Sequence, residues 1–200
     1  MTERLAADPA GIARAAALLR DGRLVAFPTD TVYGVACATA HPEAVDDIFA
    51  LKRRPIDRLI PILVDGLESI GAEWSVDERA RRIAAAHWPG ALTLVLHGPE
   101  GRSQAFRAPA HAVALALIGS AGALYTTSAN VSDEPETLDA DDVLIAFATQ
   151  ADGLAAVVDG GRVPGGVAST VVDLADGPAR ILRQGPIGRE ELARIVELRP

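Results

Sequence analysis

Three observations predict an α/β fold, a twisted mixed open sheet with flanking helices. Apolar runs of strand length recur along the chain, and segments with helical spacing fall between them. Strands and helices alternate irregularly, which argues against a doubly wound, all-parallel arrangement. The chain has 200 residues, 49% of them hydrophobic, enough to bury one large core, so residues 1–200 are expected to form a single domain.

The elements follow in order. Asp8-Pro9 ahead of Ile12, Ala15, Ala16 and Leu19 predicts a capped amphipathic helix ending near Gly22. Residues 24–27 read as a buried strand stopped by Pro28, and 35–38 as a second. A helix over 42–51 carries Val45, Ile48 and Phe49 on one face. Residues 60–64 are strand-like, and 77–87 read as a helix with outward arginines, closed by Trp88-Pro89-Gly90. Two strands follow at 92–96 and 104–106, then a short helix over 112–118 and a strand at 124–127. The rest reads as a capped helix over 139–150, strands at 155–158, 169–173 and 180–183, and a terminal helix over 190–196.

Composition excludes several classes. The formal charge of −8 is the wrong sign for a general nucleic-acid binder, whose affinity comes largely from neutralising phosphate. Cys37 is the only cysteine, so an internal disulfide framework and a thiolate zinc cluster are excluded, and its apolar surroundings predict burial. His41, His87, His97 and His111 lack metal-ligand spacing, with His111 expected at a helix N-terminus. No apolar run is long enough to cross a bilayer, and Met1-Thr2-Glu3-Arg4 lacks the order of a signal peptide. The expected location is cytoplasmic. Of 19 basic residues only Lys52 is lysine, which hints at a role for a compact ammonium.

Five loops at strand or helix ends are polar beyond what packing requires. Thr29, Asp30, Thr31 and Tyr33 lie between Pro28 and Gly34, where an ordinary turn explains them equally well. Lys52, Arg53, Arg54 and Arg58 follow a helix end, where they either balance the helix dipole or clamp a polyphosphate. Arg107 lies between Phe106 and Pro109, set to meet a structural acid or a ligand carboxylate. Ser128 and Asn130 directly follow an apolar strand, placed for a ligand or for a side-chain turn. Residues 160–170 hold four glycines in seven positions, a flexible flap or a close backbone approach. Neither a P-loop, a dinucleotide fingerprint nor a nucleophile elbow is present.

In this order the segments resemble the YrdC-like family of threonylcarbamoyl-adenylate synthases, over about residues 16–184. The motifs are Pro28-Thr-Asp-Thr-Val-Tyr-Gly34, Lys52-x-Arg54, Ser128-Ala-Asn130, Ser169-Thr-Val-Val-Asp173 and Leu182-Arg183-Gln-Gly185. Each alone is weak; the ordered set is specific. The resemblance implies a positively lined cleft and a nucleotidyltransferase acting on L-threonine, bicarbonate and ATP with Mg²⁺, and no protein-bound metal. It further implies a downstream complex that passes the threonylcarbamoyl group to a tRNA adenosine, with tRNA contact to this chain weak or indirect and no membrane partner. By position, Thr31, Arg107 and Ser169 look like threonine contacts. Lys52, Arg54, Ser103, Ser128, Asn130 and Arg183 look like nucleotide contacts, with Lys52 and Arg54 supplying catalytic charge from a loop in the cleft rather than from the core. The chain departs from the family's pattern at Arg58, Leu59 and Ile60, at Asp133 where members commonly have glycine, and in the polar stretch 101–105. A family fold used as an RNA-binding or ribosome-associated module, or with another carbamoyl acceptor, is the alternative.

Overall fold

Every residue of 25–27 and 33–38 is buried, as strands covered on both faces must be. A computed structural model describes residues 1–53, 60–150, 153–165, 167–175 and 177–199. Among them ten strands join one sheet in the order β1 (Glu3–Ala6), β8 (Ala156–Asp159), β2 (Val25–Pro28), β3 (Tyr33–Ala38), β7 (Leu124–Ser128), β4 (Ile62–Leu63), β6 (Ser103–Arg107), β5 (Leu92–His97), β9 (Thr170–Asp173) and β10 (Arg180–Arg183). The pairs β1–β8, β8–β2, β4–β6 and β5–β9 are parallel and the others antiparallel, so the sheet is mixed as expected.

Strand alternation divides the core between the two faces. On one face Val25, Phe27, Ala36 and Val158 pack under helices α1 (Pro9–Arg20) and α4 (Ala112–Ala121). Their neighbours Ala26, Tyr33, Val35 and Val157 point the other way, against α2 (Ala44–Lys52) and α5 (Ala140–Ala146). That second face continues under α3 (Glu78–His87) and α6 (Arg189–Ala193), which bury Leu94, Phe106 and Val172. On the first face the apolar cluster stops at Leu63 and Leu124. Beyond it, among the described residues, no helix covers the cavity face of β6, β5 and β9. This open half holds the cavity described below.

The helices at Asp8 and Asp139 start at their predicted caps, and Asp77 proves to cap a third. Asp8, Asp77 and Asp139 accept from the backbone N–H of Gly11 (2.8 Å), Ala80 (2.9 Å) and Asp142 (2.9 Å). Four expectations need correction. β1 was not foreseen, because as an edge strand it buries little and offers only a weak apolar pattern. The helix expected over 139–150 ends at Ala146, followed by a separate 3-10 turn, Ala148–Gln150. The strand expected over 60–64 is only Ile62–Leu63. The terminal helix ends at Ala193, because the chain after it turns extended and pairs with Ala179 through Ala179 N–H to Glu197 O (3.1 Å) and Arg199 N–H to Ala179 O (2.8 Å). No helix of the described residues is long and apolar enough to cross a membrane.

Candidate functional site

The β2–β3 hairpin pairs as far as Pro28 and Tyr33, leaving residues 29–32 as its turn. Thr29 Oγ1 donates to Val32 O (2.7 Å) and accepts from the backbone N–H of Thr31 (3.2 Å), so Thr29 acts as a turn residue. The turn holds Asp30 and Thr31 against Arg107 at the end of β6. Arg107 donates to Asp30 Oδ1 (2.7 Å), Thr31 Oγ1 (3.3 Å) and Gly90 O (3.0 Å). Of the two partners the sequence left open for Arg107, the structure supplies the acid. It also places Arg107 on the wall of a cavity.

The facing wall is built by β9 and β10. Ser169 Oγ shares a 2.8 Å hydrogen bond with Thr93 Oγ1, and Arg183 donates to Ser169 O (3.0 Å) and Ser169 Oγ (3.2 Å). Buried Thr170 holds the following turn, its hydroxyl accepting from the N–H of Gly185 (3.0 Å) and Ile187 (3.1 Å). A Cβ on Gly185 would lie 2.3 Å from Thr170 N, so this close approach requires glycine. Arg183 is exposed at the rim, yet desolvation against the cavity wall lowers the affinity of its guanidinium for a proton; the like charge of Arg107 adds to this, and Glu136 opposes it.

A third corner lies where β7 ends. Ser128 donates to Asn130 Oδ1 (2.7 Å), and Asn130 Nδ2 donates to Glu134 O (2.6 Å). Lys52 Nζ donates to Ser128 O, to Asn130 O (2.6 Å) and to Asn130 Oδ1 (3.2 Å). This corrects the expectation of a loop lysine in the cleft. Lys52 is the last residue of α2 and only 2% exposed, because backbone carbonyls of the 128–130 turn replace its lost hydration.

These corners enclose a cavity of about 380 Å³. Its floor is apolar, with Leu63, Val95, Ala105 and Val171 pointing in from alternate strand positions, and hydroxyls and guanidiniums ring it. Thr31, Arg107, Ser128, Ser169 and Arg183 line it together. Asn130 and Lys52 stand behind Ser128. Ser103 shares the inward side of β6 with Ala105 and Arg107 but lies past the lining. Arg54 lies outside the described residues, as do Arg58 and Leu59.

The glycine-rich segment is tied to the site at several points. Tyr33 Oη donates to Gly161 O (2.8 Å) and accepts from Gly160 N–H (3.2 Å), and Gly165 N–H donates to Thr31 O (2.9 Å). Gly166 lies outside the described residues. Asp133 adopts φ 65°, the left-handed conformation that glycine takes without strain. His111 precedes α4 as expected; burial lowers its proton affinity, and its Nδ1 has no hydrogen-bond partner among the described residues.

The sequence reading missed Thr93, Thr170 and Glu136 as site residues. Thr93 carried a signal, a lone hydroxyl inside the apolar run of β5; Glu136 carried none, being one acid in an exposed loop. Among the described residues no group of three or more His, Cys, Asp or Glu could hold a metal ion.

Comparison with known proteins supports the grouping. Residues 17–185 match the Sua5_yciO_yrdC family, described as "Telomere recombination". A Bacillus subtilis protein named threonylcarbamoyl-AMP synthase is 37% identical over 98% of this chain, which spans 59% of that protein. A Mycobacterium leprae relative is 36% identical over 95% of this chain, and 90% of it is covered. The crystal structure of Pyrococcus abyssi Sua5 complexed with L-threonine superposes with a TM-score of 0.88 at 33% identity, covering 100% of this chain and 63% of that one. The chain thus spans about three fifths of the Bacillus and Pyrococcus proteins. With the family match running through all three corners of the cavity, the chain belongs to the Sua5/YciO/YrdC family.

Proposed function

We propose that the chain forms L-threonylcarbamoyl-adenylate from L-threonine, bicarbonate and ATP, releasing pyrophosphate. The observation that carries this reading is the convergence of Thr31, Arg107, Ser128, Ser169 and Arg183 on one cavity, from segments up to 152 positions apart. The named Bacillus relative and the threonine-bound Pyrococcus structure support it.

No protein nucleophile is required. The threonine amine and bicarbonate give a carbamate and water; a carbamate oxygen then attacks the α-phosphorus, and the bond to the pyrophosphate oxygen breaks. The protein's task is to align two anions that repel each other and to stabilise the departing charge. Arg107 takes the threonine carboxylate, its plane fixed by Asp30 and Gly90 O, while Thr31 and Ser169 hold the amino-acid end. Ser128 and Arg183 face the nucleotide and Ser103 extends that side; a nucleotide contact for Arg54 rests on the family resemblance alone.

Lys52 is better placed to act through the 128–130 turn than as an open phosphate clamp, its ammonium being held by Ser128 O and Asn130. The glycine-rich segment shields the mixed anhydride from water. Mg²⁺ carried on the triphosphate would supply neutralisation of phosphate charge. A rim of hydroxyls with one carboxylate fits a cation held chiefly by phosphate oxygens. We place the reaction in the cytoplasm, its product passing to a complex that modifies a tRNA adenosine, with RNA contact to this chain weak or indirect. Residues 1–200 act as one domain in this reading, supported by the sheet that runs from β1 to β10.

The test is pyrophosphate release from purified protein with ATP, Mg²⁺, bicarbonate and L-threonine. Release that requires both threonine and bicarbonate is the expected result; release independent of either, or none from folded protein, contradicts the reading.

A further inference from the structure

Glu136 is the one carboxylate among the described residues that line the cavity. The fold does not need it there. It makes no hydrogen bond or ion pair among the described residues, and its side chain is exposed. The backbone around it is nonetheless fixed. Asn130 Nδ2 holds Glu134 O (2.6 Å), Thr137 Oγ1 donates to Ala129 O (3.2 Å), and Thr137 O accepts from Tyr33 N–H (3.0 Å). Two anchors thus keep position 136 over the same cavity as Arg183.

The charges make this placement consequential. Arg107 is matched by Asp30 at 2.7 Å, and Glu136 lines the same cavity as Arg183, so the two guanidiniums of the described wall share the site with two carboxylates. A polyphosphate entering such a wall meets little surplus positive charge, and its oxygens come close to a carboxylate that repels them. A divalent cation between phosphate and carboxylate reverses that repulsion. Magnesium sites of this kind commonly use one or two carboxylates plus substrate phosphates. Asp30 is committed to Arg107, which leaves Glu136 for the cation.

Resting on the reading of this cavity as an ATP site, we propose that Glu136 makes nucleotide binding conditional on a divalent cation. Its carboxylate takes Mg²⁺ delivered on the polyphosphate and repels polyphosphate that arrives without one. Glu136 is therefore a positioning residue for the metal–nucleotide complex, not a group of the reacting atoms.

The experiment is ATP binding by calorimetry without threonine or bicarbonate, so that no turnover occurs. It is run with Mg²⁺ and with EDTA on the wild type, Glu136→Gln and Glu136→Asp. The wild type is expected to bind ATP at least about tenfold more tightly with Mg²⁺, the size of one charge-assisted contact. Glu136→Gln should narrow that difference to within about threefold, and Glu136→Asp should keep most of it. A Glu136→Gln protein with the wild-type Mg²⁺ dependence overturns the proposal. So does one that gains ATP affinity equally with and without Mg²⁺, which would make Glu136 a simple repulsive charge. If the wild type binds no ATP under either condition, the ATP-site reading falls and takes this proposal with it. ATP binding that is indifferent to Glu136→Gln overturns this proposal alone.

Discussion

Arg107 and Arg183 line the same cavity but are held in opposite ways. Arg107 is buried and gives its three donor nitrogens to Asp30, Thr31 and Gly90, so orientation and charge are both fixed before any ligand arrives. Arg183 lies on the sheet's last strand, more open to solvent, and among the described residues its hydrogen bonds go to the backbone carbonyl and hydroxyl of Ser169. The first arrangement suits a small planar anion that must be met at one angle, as a bidentate guanidinium meets a carboxylate. The second leaves a guanidinium without a carboxylate hydrogen-bonded to it, suited to the spread charge of phosphates. The contrast teaches that a cavity can be polar on both walls yet rigid on only one.

Removing the rigid arginine should have the largest effect. Arg107→Ala leaves the part-buried Asp30 without its partner, and we expect a stability loss of about 3 kcal/mol in urea unfolding. We also expect a rise of about a hundredfold in threonine KM, with a much smaller change in ATP KM. Equal damage to both substrates would erase the contrast between the walls. Lys52→Ala comes next. It strips donors from Ser128 O and Asn130, so it should cost about 2 kcal/mol as well as most of the turnover. An unchanged thermal midpoint would return Lys52 to the open cleft that its sequence position first indicated.

Arg183→Ala should unfold at nearly the wild-type denaturant concentration, losing about 1 kcal/mol with its Ser169 bonds, while ATP KM rises about tenfold and more at low salt. A large stability loss would mean that this wall is as rigid as the other. Asp133→Gly is the smallest change. It relieves an L-residue at φ 65° beside the 128–130 turn and should stabilise the protein by at most about 1 kcal/mol. A loss of similar size would show that the Asp133 side chain supports the turn.

Much of this was legible in the sequence, for identifiable reasons. Helix starts were readable because Asp8, Asp77 and Asp139 carry their caps locally, within three residues of the N–H they accept. The polar loops were readable because polar residues at strand ends do not belong to packing; four of the five, those with Thr31, Arg107, Ser128 and Ser169, contribute to one cavity, and the one that starts at Lys52 does not line it among the described residues. What was hidden depends on partners far along the chain. Lys52 looks like a helix-end cation until its carbonyl partners at 128 and 130 are placed beside it. The Arg107–Asp30 pair spans 77 positions and the Thr93–Ser169 bond 76, and no local pattern encodes either. β1 was invisible because its order comes from pairing with β8, not from its own composition.

The division of labour between the walls is tested most directly by measuring L-threonine and ATP binding to Arg107→Lys and Arg183→Ala side by side, by calorimetry at fixed salt and Mg²⁺. Arg107→Lys keeps a cation beside Asp30 but loses the planar fork. The account predicts a crossed result, in which Arg107→Lys loses threonine binding and keeps ATP binding, and Arg183→Ala does the reverse. Parallel losses in both variants, or the opposite crossing, would contradict it.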